Sequence, residues 1–353
     1  MPDVSQKFYV EYIEFYINHT CNFNCPGCTK FNNFHFDGVH RWEDYAQDYF
    51  RWADRLRIDR WSVMGGEPMM NPSYRDYLKG IHQLWPEANG SLLTNGHYLR
   101  SDDRELYEFF KSTNGQVFLD VGLHNINRRE EVFEKVKRWL VGPLEISRRP
   151  ENIRDLMGFD ENWRRSYENI KDPTWPACDT VDDWQYLPQS VKDECIDLHK
   201  FSPEIWAETR KDYTIKDDNG VVVRIGHENF FHQGPLIRDG GRFRLHSSDK
   251  SKAHSNCANK YCHNFVKGRL YKCGQVAVWP DFYEQFHFDL DKSDTDLLHS
   301  YRSAGSDDTD DFLYEFIGNL KNPIDQCKFC PEFYDHREIF SEHKKKIKIE
   351  KKS

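Results

Sequence analysis

Phe8 to Asn18, FYVEYIEFYIN, alternates polar and apolar positions in β-branched and aromatic residues, the pattern of a half-buried strand. The period then lengthens. Trp42, Tyr45, Tyr49, Trp52 and Leu56 recur at helical spacing and predict an amphipathic helix over Arg41 to Ile58. A short strand follows at Trp61 to Met64, then a helix from Tyr74 to Trp85. Ser91 to Thr94 reads as a third strand ended by Asn95-Gly96, Asp102 to Lys111 as a helix, Val117 to Leu123 as a fourth strand, and Arg128 to Leu140 as a charged helix. Strands alternating with helices of this length predict βαβ units around a parallel sheet, with functional loops at the carboxyl ends of the strands.

The pattern then breaks. Gly142 to Asp212 is polar, interrupted by prolines and too long for an ordinary connection, so it reads as an insertion of short helices. Tyr213 to Gly226 is either a hairpin turning at Asp218-Asn219-Gly220 or the site of a later barrel strand, Val221 to Ile225. From about Gly240 irregular, cysteine-bearing sequence suggests a second unit. The tail has six lysines in its last ten residues and reads as a solvated basic end.

Composition narrows the class. The chain has 353 residues and a net charge of −9, which gives no global footprint for nucleic acid. No apolar run approaches the roughly 20 residues needed to span a bilayer. MPDVSQKFYV lacks the basic-then-apolar layout of a signal peptide, so a cytoplasmic protein without membrane contact is expected. Reducing cytosol disfavours structural disulfides, so ten cysteines point to metal or to chemistry. Eight fall into two groups: Cys21, Cys25 and Cys28, then Cys257, Cys262, Cys273, Cys327 and Cys330. Cys178 and Cys195 stand apart.

In CNFNCPGC, three thiolates leave a strand on a short loop, broken by Pro26 and Gly27, that can wrap around one face of a 4Fe–4S cube. Such a set leaves one iron without a protein ligand. A zinc loop is the rival, and needs a fourth ligand such as His19 or His35. GGEP, Gly65, Gly66, Glu67 and Pro68, begins 37 residues after Cys28 at the end of the next strand. Paired glycines let backbone approach a ligand closely, and Glu67 offers an acceptor for an ammonium.

The CxxxCxxC spacing together with GGEP resembles the radical S-adenosylmethionine (radical SAM) superfamily. The resemblance implies a partial (β/α)6 TIM-like barrel of the α/β class. It implies that Cys21, Cys25 and Cys28 hold the cluster, that the unique iron binds the methionine moiety of SAM, and that Gly65 to Pro68 hold its amino group. LLTNG resembles the family's third strand and places Asn95 and Gly96 near the ribose. Two positions depart from the family pattern: Gly27 stands where an aromatic often precedes the third cysteine, and Gly122-Leu123-His124 replaces a Ser-x-Asp.

Cys257, Gly268 and Cys273 stand as C-x10-G-x4-C, followed by Cys327-x2-Cys330. This resembles the auxiliary-cluster extension called SPASM or, in its shorter form, twitch. With no cysteine after Cys330, the shorter form holding one additional 4Fe–4S cluster fits better. A four-thiolate zinc site is an equally good chemical set. Cys262 is an alternative to Cys257 as ligand, a spare thiol or a site residue.

The expected organisation is a radical SAM core barrel over 1–240 with the helical insertion at 142–212, an auxiliary domain over 241–340, and a basic disordered tail over 341–353. His124, Cys178 and Cys195 are candidates for proton or hydrogen-atom transfer. Arg224, His227 and Glu228 could fix a polar substrate or form a surface charge set. The resemblance implies reductive cleavage of SAM to a 5′-deoxyadenosyl radical, hydrogen abstraction, then oxidation or rearrangement of the substrate. It also implies a reductant such as flavodoxin or ferredoxin. Family members with one auxiliary cluster include a sugar-alcohol dehydrogenase and a nucleotide cyclase, whereas relatives with more clusters modify peptides. Only about 20 residues precede Cys21, which favours a small molecule, or a peptide brought by a separate leader-binding partner. The rivals are a non-catalytic zinc-binding interaction protein and an electron carrier with two closed clusters.

Overall fold

The computed structural model describes residues 7–25, 28–124, 128–148, 213–227, 236–239, 242–255, 257, 260–286 and 288–332. The expected alternation is present: β1 (Phe8–Tyr16), α1 (Trp42–Arg55), β2 (Leu56–Met64), α2 (Tyr74–Leu84), β3 (Asn89–Thr94), α3 (Arg104–Ser112), β4 (Val117–Leu123) and α4 (Arg129–Trp139). One boundary moves. β2 begins at Leu56, not Trp61, and α1 stops at Arg55 rather than Ile58. LRIDR alternates, so Leu56 and Ile58 are buried while Arg57 and Asp59 are exposed, and Leu56 and Ile58 pair with Phe8 and Val10 of β1.

Both readings of Tyr213 to Gly226 hold at once. β6 (Tyr213–Asp217) and β7 (Val222–His227) form an antiparallel hairpin, and β7 also pairs parallel with β4 as the next sheet strand. Its turn is fixed by Asp217, whose Oδ1 accepts the N–H groups of Asn219 and Val221, and by Gly220 at φ +81°. The expected helical insertion is corrected at its start: β5 (Leu144–Arg148) is a strand paired with β6. The remainder of that insertion, with Cys178 and Cys195, lies outside the described residues, as does the lysine tail.

Beyond residue 235 the chain is more regular than its sequence suggests. A small hairpin, β8 (Leu236–Asp239) and β9 (Arg242–Leu245), precedes α5 (Lys250–Ser255), β10 (His263–Val266), β11 (Arg269–Tyr271), α6 (Gly274–Gln285), α7 (Lys292–His299) and α8 (Asp310–Gly318). The main sheet runs β11-β10-β1-β2-β3-β4-β7-β6-β5, with β10, β1, β2, β3, β4 and β7 parallel. The sixth parallel strand thus stands beside β1, not beyond β7. Lys267 and Gly268, both at positive φ, turn β10 into β11 in the two-residue manner that favours hairpins.

The two sheet faces differ. Ile13, Phe15, Val63, Leu92, Leu119, Val121, Val223 and Ile225 are buried in the same core as the inner faces of α1 to α4. The opposite register row runs Glu14, Ser62, Ser91 across the first three strands, with Asp120 and Arg224 paired further along. This second face is mixed, since Phe118 pairs with Ser91 and Leu93 with Asp120. Another core joins Phe31, Phe34 and Phe36 of the cysteine loop to Trp279, Phe282 and Phe286 of α6 and its end. Phe31 and Phe282 stack at 4.3 Å.

Candidate active site

The loop after β1 is closed at its base before the cysteines are reached. The Ile17 N–H donates to Met64 O, His19 to Gly38 O and His40 to Ile17 O, so 17–19 and 38–40 run side by side. Inside this closure the loop carries Cys21, Cys25 and Cys28, all half-buried. The Phe23 N–H donates to Cys21 Sγ at 3.4 Å, and Asn32 Oδ1 lies 3.5 Å from Cys28 Sγ. Burial pushes the Cys28 thiol up, while backbone donors and the Lys30 ammonium oppose that shift.

GGEP sits against this loop. The Gly66 N–H donates to Asn18 O and that of Glu67 to Thr20 O, both at 2.9 Å. A Cβ on Gly65 would stand 2.4 Å from Asn18 Oδ1, and one on Gly66 2.3 Å from Thr20 O. The close approach that the two glycines permit is therefore made to the cysteine loop's own backbone. Pro68 opens the short 3-10 turn Pro68–Met70.

Glu67 is fully buried. Its carboxylate accepts from Thr94 Oγ1 at 2.6 Å, Asn95 N at 2.8 Å and Met69 N at 3.1 Å. Burial raises its carboxyl to about 7, against the lowering effect of those three donors. Asn95 closes the ring by donating from Nδ2 to Asn22 Oδ1 at 2.9 Å. Gly96, at φ +71°, turns the chain away beside Val121. The ends of β1, β2 and β3 are thus one hydrogen-bonded unit.

His124 follows β4 at the same edge, with its ring edge-on to Phe23 at 6.4 Å. Phe23 also meets His97 at 6.3 Å, and the Arg128 guanidinium lies 5.6 Å over its ring. Sequence reading passed over Asn22, Phe23 and His97. The available signal was their place on loops at the same strand ends. Arg224 lies over Phe118 at 3.8 Å, while Glu228 and the His227 side chain fall outside the described residues.

The zinc rival for the first cysteines needs His19 or His35; among the described residues neither lies in a set of ligand atoms within 4.8 Å with these cysteines, and the three cysteine sulfurs do not form such a set among themselves. His35 is exposed. His19 Nε2 lies 2.8 Å from Asp281 Oδ2 and its Nδ1 3.1 Å from the Tyr16 hydroxyl. Among the described residues, one set of three His, Cys, Asp or Glu ligand atoms lies within 4.8 Å of one another: His19, His40 and Asp281.

A second thiol site forms where α5, the start of α6 and a 3-10 turn, Asp325–Phe329, meet. Cys257, Cys273, Cys327 and Cys330 line one cavity with His254 and Lys272. Cys262 is not among its lining residues. It precedes β10, within the field of Glu14, Lys30 and Cys257, and burial pushes its thiol up. The donor set fits a cube or a zinc ion equally in chemistry. Lys272 is nearly fully buried and feels Cys273, Cys327 and Cys257, which raise its pKa against the larger lowering by burial. A buried ammonium at this position suits an anionic centre.

The chain is similar over part of its length to known proteins. Residues 15–172 match the family model of the Radical SAM superfamily. GTP 3′,8-cyclase of Nautilia profundicola is 27% identical over 100 residues, 28% of this chain and 31% of that protein. The match thus spans about a third of that relative's length. Among solved structures, BtrN in complex with AdoMet and 2-DOIA is 17% identical, covering 33% of this chain and 47% of that one, with a TM-score of 0.25. anSMEcpe with bound AdoMet and the Cp18Cys peptide is 15% identical over 37% of this chain and 41% of its own, with a TM-score of 0.29. Streptococcus suis SuiB bound to the precursor peptide SuiA is 15% identical over 37% and 36%, with a TM-score of 0.24.

Proposed function

From the premise that this chain carries a radical SAM domain, we propose that it is a radical SAM enzyme acting on a polar small molecule or a peptide. Proteins of this superfamily use a 4Fe–4S cluster and SAM. When bound, the cluster, reduced by an external one-electron donor, would pass an electron to the SAM sulfonium and so supply hydrogen-abstraction chemistry. Cys21, Cys25 and Cys28 are the residues that would hold the cluster. The carrying observation is that His19, the histidine two positions before Cys21, is engaged by Asp281 and Tyr16 instead of completing the cysteine set.

The chain's own groups then have assignable tasks. Asn18, Thr20, Gly65 and Gly66 fix the cysteine loop on the end of β2. Glu67, Thr94 and Asn95 tie the end of β3 to it, and Phe23, His97 and His124 offer an aromatic rim for a planar base. The polar positions of the second sheet face, Glu14, Ser62, Ser91, Asp120 and Arg224, set among Phe118 and Leu93, favour a substrate that carries hydrogen-bonding groups. Cys257, Cys273, Cys327 and Cys330 are assigned to an auxiliary cluster of the twitch kind, in the C-terminal part of the chain, where the expected boundary at 240/241 gives way because β10 and β11 belong to the main sheet.

Anaerobic preparation with iron and sulfide, then SAM and dithionite, tests the reading. A brown protein that forms 5′-deoxyadenosine, and loses that activity in Cys25→Ala, is the expected result. A colourless protein holding zinc on both cysteine groups, or deoxyadenosine formation unchanged in Cys25→Ala, rejects it.

A further inference from the structure

We propose that His19, His40 and Asp281 form a binding site for one divalent transition-metal ion of the zinc class, separate from both cysteine groups. The three residues come from the base of the cysteine loop, the segment entering α1, and α6. Both imidazoles are buried, His19 at 2% and His40 at 4% exposure. Their rings are held in place before any ion arrives. His19 stacks on Phe36 at 4.0 Å, and a Cβ on Gly38 would stand 2.6 Å from its Cδ2. His40 meets His19 edge-on at 4.8 Å.

The hydrogen bonds select the tautomer. His40 Nδ1 lies 3.3 Å from Tyr16 O, and a carbonyl only accepts, so Nδ1 carries the proton. Nε2 therefore presents a lone pair. That atom is buried without a hydrogen-bond partner, and it faces Asp281 Oδ2 at 4.0 Å. Two acceptors confronting each other in a buried site call for a positive centre between them. A proton serves only the His19 Nε2–Asp281 Oδ2 contact of 2.8 Å, whereas a metal ion serves all three ligands. A carbonyl or hydroxyl behind each imidazole is also the usual support of a ligating histidine, and Tyr16 supplies both.

Two imidazoles and a carboxylate suit a borderline ion such as zinc, with the fourth position left to water. Access is from the Asp281 side, whose side chain is 22% exposed. Lys267 is the competing cation: its Nζ lies 2.7 Å from Oδ1 and 2.6 Å from Oδ2 of Asp281. Its side chain is 40% exposed, so it can leave Oδ2 to the ion without being stranded from water. A bound ion would pin the base of the cysteine loop to α6.

The test uses the full chain with its cysteine sites loaded with iron and sulfide, dialysed anaerobically against zinc chloride, with zinc and iron counted together. The expected result is one zinc per chain whose X-ray absorption edge shows nitrogen and oxygen ligands only. His40→Ala and Asp281→Asn should each weaken zinc at least about tenfold and leave the iron count unchanged. Asp281→Asn carries the test if His40→Ala fails to fold. No zinc retained, a zinc shell containing sulfur, or wild-type zinc affinity in the folded variants overturns the proposal.

Discussion

Lys30 and Asn264, 234 residues apart, meet through a hydrogen bond from Nζ to Oδ1 of 3.0 Å inside the protein. Asn264 uses its amide fully: Nδ2 donates to Glu14 at 3.2 Å and to the Cys262 carbonyl at 2.9 Å. Lys30 also stands 3.6 Å from Glu14, with both side chains about nine-tenths buried. A cation two residues past Cys28 is thereby anchored on the strand that leads to the second cysteine group. Lys30→Met would remove the ammonium beside the buried Glu14 and leave it the Asn264 amide as donor, at a cost of roughly 3–5 kcal/mol. The double variant Lys30→Met with Glu14→Gln should recover part of that loss. Denaturant midpoints of the four proteins in the cycle give the coupling, and additive losses would mean that the pair does not interact.

Glu67 makes stability depend on pH in an uncommon direction. Its carboxyl is raised from 4.5 to about 7 by burial, so the folded chain holds this proton more tightly than the unfolded chain. Below pH 4.5 both states are protonated and nothing is lost. As pH rises from 4.5 to 7, the unfolded chain releases its proton first and stability falls, by about 3 kcal/mol at most. Urea unfolding at pH 5 and pH 7.5 should show this fall in the wild type and a flatter response in Glu67→Gln. Equal pH responses would remove Glu67 as its source.

Gly66→Ala should release the cysteine loop without unfolding the sheet. The new Cβ would meet Thr20 O at 2.3 Å and His19 O at 2.9 Å, both backbone atoms that cannot rotate aside. Iron content should drop to what the second cysteine group retains, with circular dichroism nearly unchanged. Full iron content would show that the loop tolerates the shift.

The two thiols near α5 should separate cleanly. Cys257 lines the cavity with Cys273, Cys327 and Cys330, and Cys262 does not. Cys257→Ala should therefore lose iron as Cys273→Ala does, while Cys262→Ala keeps it. Iron counts in the reverse order would move the fourth ligand to Cys262.

Gly268→Ala offers a test of the hairpin that joins this region to the sheet. Gly268 has φ +72°, and a Cβ there would lie 2.6 Å from the Asp48 carboxylate. The left-handed backbone alone costs an ordinary residue about 1–2 kcal/mol. Thermal unfolding should shift down by several degrees, and an unchanged midpoint would show that the turn adjusts.

Local pattern determined the four βα pairs from β1 to α4, because alternation and helical stripes are imposed by which side chains can be buried together. It also determined the three-cysteine loop and GGEP at adjoining strand ends, since donor type and spacing are covalent facts. At 56–58 alternation and helical spacing coincide on the same apolar residues, and only pairing with β1 chose the strand. The partner of β10, the turning of His19 toward Asp281, and the meeting of Cys257, Cys273, Cys327 and Cys330 at one cavity were decided by tertiary structure. Each depends on contacts between segments far apart in the chain, and no local preference for burial or dihedral angle encodes which distant segment will be met.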